Sequence, residues 1–267
     1  MEERWKEMDC RETAGREEEP RMRVSGGPLE RYLGDAETVR VPDGITELGQ
    51  MAFFGLEHVK RVILPDSVER MGTLSFHECS GLEELTLSRN LTAIPDREFQ
   101  DCDALRSVVL PEQLRSIGSE AFSGCEALSC LDLPGGVITI GWGAFMFCES
   151  LRYVEIPDSV MNLQMYAFAD CTGVQNVSLS DQLRVVSDGV FAGCTSLRSI
   201  CLPEGIGSIG RRAFRNCTSL RRVTIGSRVR EIGPEAFVGC TALETVVLPE
   251  GVHVDPTAFA GTPYAER

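Results

Sequence analysis

The sequence lacks the short motifs that carry most enzymatic chemistry. It contains no G-x-S-x-G nucleophile motif, no phosphate-binding P-loop and no glycine fingerprint for a dinucleotide. Histidine, a frequent general acid or base, occurs only three times in 267 residues, at His58, His77 and His253. These absences predict a protein that is not an enzyme and that needs no cofactor.

Positive net charge and long apolar runs are also missing. The formal net charge of -14 argues against general nucleic-acid binding and against attraction to anionic membranes. No stretch approaches the ~18 apolar residues of a membrane-spanning helix, so no membrane insertion is expected. Residues 1–20 are charged and have no apolar segment typical of a signal peptide. As it stands, the sequence predicts a cytoplasmic protein; a chain trimmed of its signal would be the cell-surface or secreted alternative.

What the sequence does contain is a repeat. The segment from Gly118 to Pro134, G-S-E-A-F-S-G-C-E-A-L-S-C-L-D-L-P, recurs with substitutions along almost the whole chain. A fixed period of this length predicts one elongated solenoid domain, whose small units bury their apolar faces against each other. Its phenylalanine returns every 23 residues and at the end after 22, at Phe53, Phe76, Phe99, Phe122, Phe145, Phe168, Phe191, Phe214, Phe237 and Phe259.

Eight of the eleven cysteines follow a repeat phenylalanine by three residues. Equivalent positions in stacked units point the same way, so we expect a column of buried thiols that pack as small apolar side chains. Metal or redox chemistry is the alternative, although zinc-type spacings such as C-x-x-C are absent. His77 lies near Cys79 and suggests a Cys–His nucleophile, but the column directs Cys79 inward and leaves His77 on the exposed side. The column comprises Cys79, Cys102, Cys125, Cys148, Cys171, Cys194, Cys217 and Cys240.

Each unit combines two spacings. The first spacing is typical of one or two helical turns. It consists of a small residue, phenylalanine, cysteine and leucine, as at Ala121, Phe122, Cys125 and Leu128. Apolar residues nine and eleven positions after the phenylalanine then alternate as in a short strand. Proline usually closes this strand, and a glycine such as Gly118 or Gly141 later allows a sharp return. The fold class predicted is an α/β repeat solenoid, with a parallel sheet of short strands on one face and short helical turns on the other.

The two ends depart from the repeat. Residues 1–31 form a charged leader, predicted to be disordered or a capping helix that lies against the first repeat. Residues 32–267 form the repeat domain, which begins with a partial unit. The segment from Ala258 onward supplies a turn without a strand and is predicted to be a short C-terminal cap.

The recurring pattern resembles the BspA-like leucine-rich repeats. It reads A-F-x-x-C-x-x-L-x-x-V-x-L-P-x-x-V-x-x-I-G-x-x-A-F and is nearly intact in residues 121–145, 167–191 and 213–237. The resemblance covers roughly residues 33–262. It implies a right-handed leucine-rich repeat arc. It also implies a binding module, since relatives are often surface proteins that adhere to host proteins or to other cells.

In a solenoid, buried positions are fixed by stacking, so function is expected where exposed positions break the pattern. The middle units carry unusual apolar residues outside the core columns, and such clusters are typical of interface cores. Filling of gaps between irregular units is the alternative, and self-association is another. The candidates for partner binding are Trp142, Met146, Phe147, Met165 and Tyr166, with Met161 nearby.

A second region reverses the sign of the charge. Between residues 198 and 230 the chain carries eight arginines and one acid, Glu204. Such a patch suits an acidic partner or the acidic leader, while ordinary solvated arginine is the alternative. The partner-binding candidates taken from this region are Arg211, Arg212, Arg215 and Arg222, and the other arginines are Arg198, Arg221, Arg228 and Arg230.

A broken column of acids follows the strands and includes Asp66, Asp158 and Glu204. It suggests either calcium ligands or, more commonly, solvated turn residues. We favour turn residues and predict no metal site. The function predicted from the sequence is a non-enzymatic scaffold that binds another protein of unknown identity; adhesion of a cell-surface module to an extracellular protein or glycan is the alternative.

Overall fold

The computed structural model describes residues 21–266, which form a solenoid of stacked coils. Its short strands lie in two rows, each divided into three hydrogen-bonded sheets, and we call these rows the long-strand sheet and the short-strand sheet. A hairpin begins the stack: β1 (Met22–Val24) pairs antiparallel with β2 (Pro28–Tyr32). The hairpin spans the end of the predicted leader, residues 1–31, and the first residue of the predicted repeat domain, Tyr32. Residues 1–20 lie outside the described residues. Because β2 also pairs in parallel with the next coil, the hairpin covers the N-terminal edge of one sheet.

The long-strand sheet is built from the alternating apolar positions that follow each phenylalanine. Its strands are three residues long and pair with a strict offset of one coil, for example Val62 with Leu85. An isolated bridge between Ser107 and Cys130 continues the sheet where one coil has no strand. The strands are β3 (Thr38–Arg40), β5 (Arg61–Ile63), β7 (Glu84–Thr86), β9 (Ser107–Val109), β12 (Tyr153–Glu155), β14 (Asn176–Ser178), β16 (Ser199–Cys201), β18 (Arg222–Thr224) and β20 (Thr245–Val247).

A second sheet, the short-strand sheet, was not predicted. It is formed by the isoleucine or equivalent apolar residue that precedes the glycine of each unit. These strands are β4 (Glu47–Leu48), β6 (Arg70–Met71), β8 (Ala93–Ile94), β10 (Ser116–Ile117), β11 (Thr139–Ile140), β13 (Asn162–Leu163), β15 (Val185–Val186), β17 (Ser208–Ile209), β19 (Glu231–Ile232) and β21 (His253–Val254). Most coils therefore contribute a residue triplet to the long-strand sheet and a pair to the short-strand sheet, and the coil of Cys130 contributes only an isolated bridge to the former.

The predicted helical turns are wrong: no helix occurs among residues 21–266. Around Phe122, the residues at Glu120 (φ 53°) and Gly124 (φ 77°) both lie in the left-handed region, which interrupts any α-helical run. The phenylalanine N–H donates to the next coil, at Ala144 O (2.7 Å), rather than to the carbonyl four residues back. The turns are thus held by bonds between coils, and β-strands are the only regular secondary structure of the described chain.

The phenylalanines form a continuous stack through the core. From Phe53 to Phe259, neighbouring ring centroids are 4.7 to 5.8 Å apart. Tyr32 extends the stack at the hairpin end, and Tyr264 contacts Phe259 edge-on at the other end. Two aromatic residues thus cover the ends of the stack.

The glycine of the return has a different role from the one predicted. A Cβ on Gly141 would lie 2.6 Å from the backbone of Gly118 in the preceding coil, although neither residue has a positive φ. Glycine is needed here because the coils approach closely.

The column of buried thiols is confirmed, with a bond that the sequence did not suggest. Each of the eight cysteines is buried and donates from its Sγ to the carbonyl of a phenylalanine 26 residues earlier, as Cys148 does to Phe122 (3.1 Å). Burial raises the thiol pKa at the seven column cysteines from Cys79 to Cys217, to about 12 at Cys79. Thiols that are buried and protonated at neutral pH are poor nucleophiles and poor metal ligands. The sulfur–oxygen distances are 3.0 to 3.3 Å.

We expect a thiol reagent to distinguish this column from the remaining described cysteines. Cys130 and Cys201 are exposed and should be labelled rapidly in the native protein, while the eight column thiols react only on unfolding. Peptide mass spectrometry after pulse labelling measures this for each residue. Native labelling of Cys148 at the rate of Cys130 would contradict the buried column.

Candidate protein-binding surface

Eight of the nine predicted binding residues lie on one face, which we call the turn face. It comprises the positions from three before to two after each phenylalanine of the stack. Trp142, Met165 and Arg211 share its first column, and Tyr166 shares the next column with Arg212. Arg222 is the exception, because it begins β18 and lies on the long-strand sheet. The repeat register therefore brings the apolar and basic candidates together along one wall.

The apolar part of the turn face is centred on one aromatic contact. Trp142 and Tyr166 meet edge-on, with ring centroids 6.0 Å apart. Phe147 and Met165 are 43% and 45% exposed, far more than the core side chains. Trp142, Met146 and Tyr166 are partly buried. This part is therefore a surface cluster with an ordered aromatic base.

Phe147 and Tyr166 hold the left-handed backbone conformation that recurs at their two columns along the solenoid, as at Asp170 and Arg212. The φ angles of Phe147 and Tyr166 are 63° and 59°, in the left-handed region, where a bulky residue is uncommon and costs about 1–2 kcal/mol. Glycine occupies the column of Phe147 at Gly124 and Gly193, and it would fit there without strain. The chain therefore carries an exposed Phe147 and a partly buried Tyr166 at positions where glycine would avoid this cost.

The Tyr166 ring lies over Gly189 in the next coil. A Cβ on Gly189 would collide with the ring carbons of Tyr166, so this glycine makes room for the ring. Arg212 stands in the same column one coil further on. One coil thus separates the aromatic cluster from the arginines, and in this column that coil carries only the glycine Gly189.

The arginines of the turn face converge on one carboxylate. Glu235 accepts hydrogen bonds from Arg212 Nε (2.8 Å) and Arg215 Nη1 (2.7 Å), and Arg211 Nη2 lies 3.5 Å from it. The hydrogen bond from Arg212, with the positive charges around it, lowers the pKa of Glu235. Three guanidinium groups against one carboxylate leave the cluster positive and fix its geometry.

Sequence reasoning missed both Glu235 and Gly189. Glu235 occupies the column of Arg212 one coil later, and Gly189 occupies the column of Tyr166 one coil later. Comparison of adjacent positions within each column would have found both residues.

The other weighed groups take structural roles. His77 Nδ1 contacts the carbonyl of Gln100 (3.1 Å), whereas the Cys79 thiol donates to Phe53, so the two do not form a nucleophile pair. In the acidic column, Asp158 accepts the backbone N–H of Asp181 (3.0 Å) in the next coil. Asp66 and Glu204 accept equivalent bonds. Within residues 21–266, no group of three or more candidate ligands could hold a metal ion.

Stacked coils with short parallel strands and a repeating apolar pattern define a leucine-rich repeat solenoid. The chain belongs to the BspA-type leucine-rich repeats: the profile of the BspA type leucine rich repeat region, in 6 copies, matches residues 32–152 and 138–266. This result confirms the family that the sequence pattern resembles. No curated protein matches the chain.

Solved structures share the fold. The leucine-rich repeat protein of T. pallidum is 25% identical, with 86% of this chain and 91% of that chain covered and a TM-score of 0.53. A leucine-rich repeat protein from Eubacterium ventriosum is 17% identical, with 90% and 89% covered and a TM-score of 0.58. Over the described residues, the structure holds no helix long and apolar enough to span a membrane.

Proposed function

We propose that this chain is a non-enzymatic scaffold that binds another protein through its turn face. The observation that carries the proposal is the aromatic cluster on the surface, in which Phe147 and Met165 are 43% and 45% exposed and Trp142 meets Tyr166 edge-on. Aromatic residues with arginine beside them also make up the energetic centres of many interfaces.

The chemistry of the turn face indicates which kind of partner surface would complement it. The aromatic cluster suits an apolar side chain, and the arginine cluster around Glu235 remains positive. A protein that presents an apolar residue beside carboxylates would complement both parts. The opposite chemistry, a basic partner surface, would be repelled by Arg211 and Arg212.

The test begins with affinity purification of the full chain from its native cell and mass spectrometry of the retained proteins. Binding of the purified partner is then measured for Trp142→Ala and Phe147→Gly. We expect each change to weaken binding by more than about 1 kcal/mol, since each removes aromatic contact area. The melting temperature should move by no more than about 3 °C, because Phe147→Gly also removes backbone strain.

Tyr153→Ala is the matched control, because Tyr153 is an aromatic residue that is 68% exposed on the long-strand sheet. It should leave binding unchanged. Unfolding caused by Trp142→Ala or Phe147→Gly would show that these residues belong to the core. If Tyr153→Ala alone abolished binding, the interface would lie on the long-strand sheet and not on the turn face.

Adhesion to an extracellular protein or glycan is the second candidate. The exposed side of the long-strand sheet favours it, because Val109, Tyr153 and Val247 are 80%, 68% and 53% exposed there and Arg222 lies on the same sheet. Cell fractionation separates the candidates. Recovery of the native protein from the cytosol alone would contradict adhesion.

A further inference from the structure

A pocket opens beside the coils that contain Phe191, Phe214 and Phe237. It has a volume of about 580 Å³ and is lined by Arg198, Thr218, Ser219, Arg221 and Ala242. These residues lie on the segment between the cysteine column and the long-strand sheet. The pocket shares no residue with the turn face, so it is a separate site.

The two arginines of the pocket break an alternation of charge. They occupy the column seven residues after each phenylalanine. In the N-terminal coils of this column, each cation is paired with the carboxylate one coil earlier, at 2.8 Å for Lys60 and 3.4 Å for Arg106. Arg198 and Arg221 are instead consecutive cations, and neither forms an ion pair within the described part of the chain. The column runs Glu37, Lys60, Glu83, Arg106, Ser129, Arg152, Gln175, Arg198, Arg221 and Glu244.

The neighbouring column changes its chemistry at the same end of the solenoid. Four residues after each phenylalanine, the N-terminal coils carry mainly carboxylates, whereas the last four carry threonine. Near Arg198 and Arg221 the carboxylates of this column are thus replaced by hydroxyls. The hydroxyls of Thr218 and Ser219 form no hydrogen bond with any other residue among 21–266, which leaves both available as donors. The column runs Glu57, Ser80, Asp103, Glu126, Glu149, Thr172, Thr195, Thr218 and Thr241.

We propose that this pocket binds a tetrahedral oxyanion, the phosphate or sulfate group of a ligand. Neighbouring coils in a parallel sheet are ~4.8 Å apart, so Arg198 and Arg221 place two positive charges near each other, and an anion bound between them would offset their repulsion. Guanidinium groups donate planar pairs of hydrogen bonds that match oxyanions. Together with Thr218 and Ser219, they offer donors from several directions and two positive charges. A tetrahedral dianion satisfies this set better than a planar carboxylate with one charge.

The experiment follows backbone amide NMR shifts of the full chain at constant ionic strength while chloride is replaced by inorganic phosphate, inorganic sulfate or acetate. Sulfate and phosphate stabilise folded proteins in general, so the readout is a saturable shift at Ser219 and Ala242 rather than melting temperature. We expect saturation with phosphate or sulfate. Arg198→Gln and Arg221→Gln should each weaken the affinity about tenfold or more, because each removes a charge-assisted donor.

Arg152→Gln is the matched control, because Arg152 occupies the same column and is exposed but does not line the pocket. It should retain the saturable shift. Shifts that are linear, or that are equal in all four proteins, would overturn the proposal, as would an equal response to acetate. Phe147→Gly should keep oxyanion binding even where it loses the protein partner, so the two proposals fail independently.

Discussion

We expect Phe168→Ala to lower the free energy of unfolding by about 3–5 kcal/mol. Phe168 is fully buried and stacks on Phe145 and Phe191, at 5.1 and 5.8 Å. The substitution therefore removes two ring contacts and leaves a cavity in a close-packed stack. Since each coil contacts only its neighbours, the rings on both sides lose their support. Urea unfolding followed by circular dichroism measures the change.

Phe147→Ala is the control for this prediction, because it removes the same side chain from the surface of the adjacent coil. Its backbone stays in the left-handed region, and its ring is 43% exposed. We expect a cost of less than about 1 kcal/mol. Equal costs for the two substitutions would show that the phenylalanine stack does not dominate stability.

The second large effect concerns Glu98, a buried carboxyl group in the core. It occupies the position before Phe99, which is alanine in most other coils, and its side chain is fully buried. Its Oε2 accepts the backbone N–H of Ser75 at 3.2 Å, but its Oε1 has no hydrogen-bond partner. Burial raises the pKa of Glu98 to about 8, and the hydrogen bonds from Ser75 only partly oppose this shift.

The sign of the pH dependence follows from the raised pKa. Between the ordinary glutamate pKa of 4.5 and about 8, the folded chain keeps a proton at Glu98 that the unfolded chain releases. The contribution of Glu98 to the free energy of unfolding is therefore greatest below pH 4.5. It falls by roughly 1 kcal/mol per pH unit as the pH rises, until the folded group also ionises. Above pH 8 the penalty is constant.

We expect Glu98→Ala and Glu98→Gln to remove this slope. Glu98→Ala introduces the residue found in most other coils. We expect its gain in unfolding free energy over the parent to be several-fold larger at pH 8 than at pH 5. Glu98→Gln keeps the volume and separates ionisation from packing. The measurement is urea unfolding at several pH values between 4.5 and 8. A parent protein whose stability follows the same pH profile as Glu98→Gln would contradict the ionisation of a buried Glu98.

The repeat made most of the fold predictable, because a residue in one coil determines its neighbours in the next. The phenylalanine stack, the buried thiols and the long-strand sheet all follow from residues that recur in one register. The turns were misjudged because the left-handed residues that break the helix are often not glycine, as at Glu120 and Asp170. The column of Asp170, two residues after each phenylalanine, offered a signal, because it contains glycine at Gly124, Gly193 and Gly239.

The candidate surface was only partly predictable, since its residues break the repeat. Column positions placed Trp142 beside Met165, but the edge-on contact with Tyr166 depends on side-chain conformations that spacing does not specify. The convergence of Arg215 and Arg211 on Glu235 also depends on long, flexible side chains. Arg222 was grouped with the other arginines because it is near them in sequence, whereas the strand places it on another face.

The strict offset of one coil between sheet partners makes the solenoid modular. An added or lost unit of 23 residues would preserve every strand pairing, each thiol–carbonyl bond and the phenylalanine stack. It would change the separation between the aromatic cluster and the arginines in steps of ~4.8 Å. One coil, which has Gly189 in the same column, lies between Tyr166 and Arg212. The distance between the aromatic cluster and the arginines is therefore a whole number of coils. Evolution can adjust the length of such a surface by unit duplication while the core remains intact.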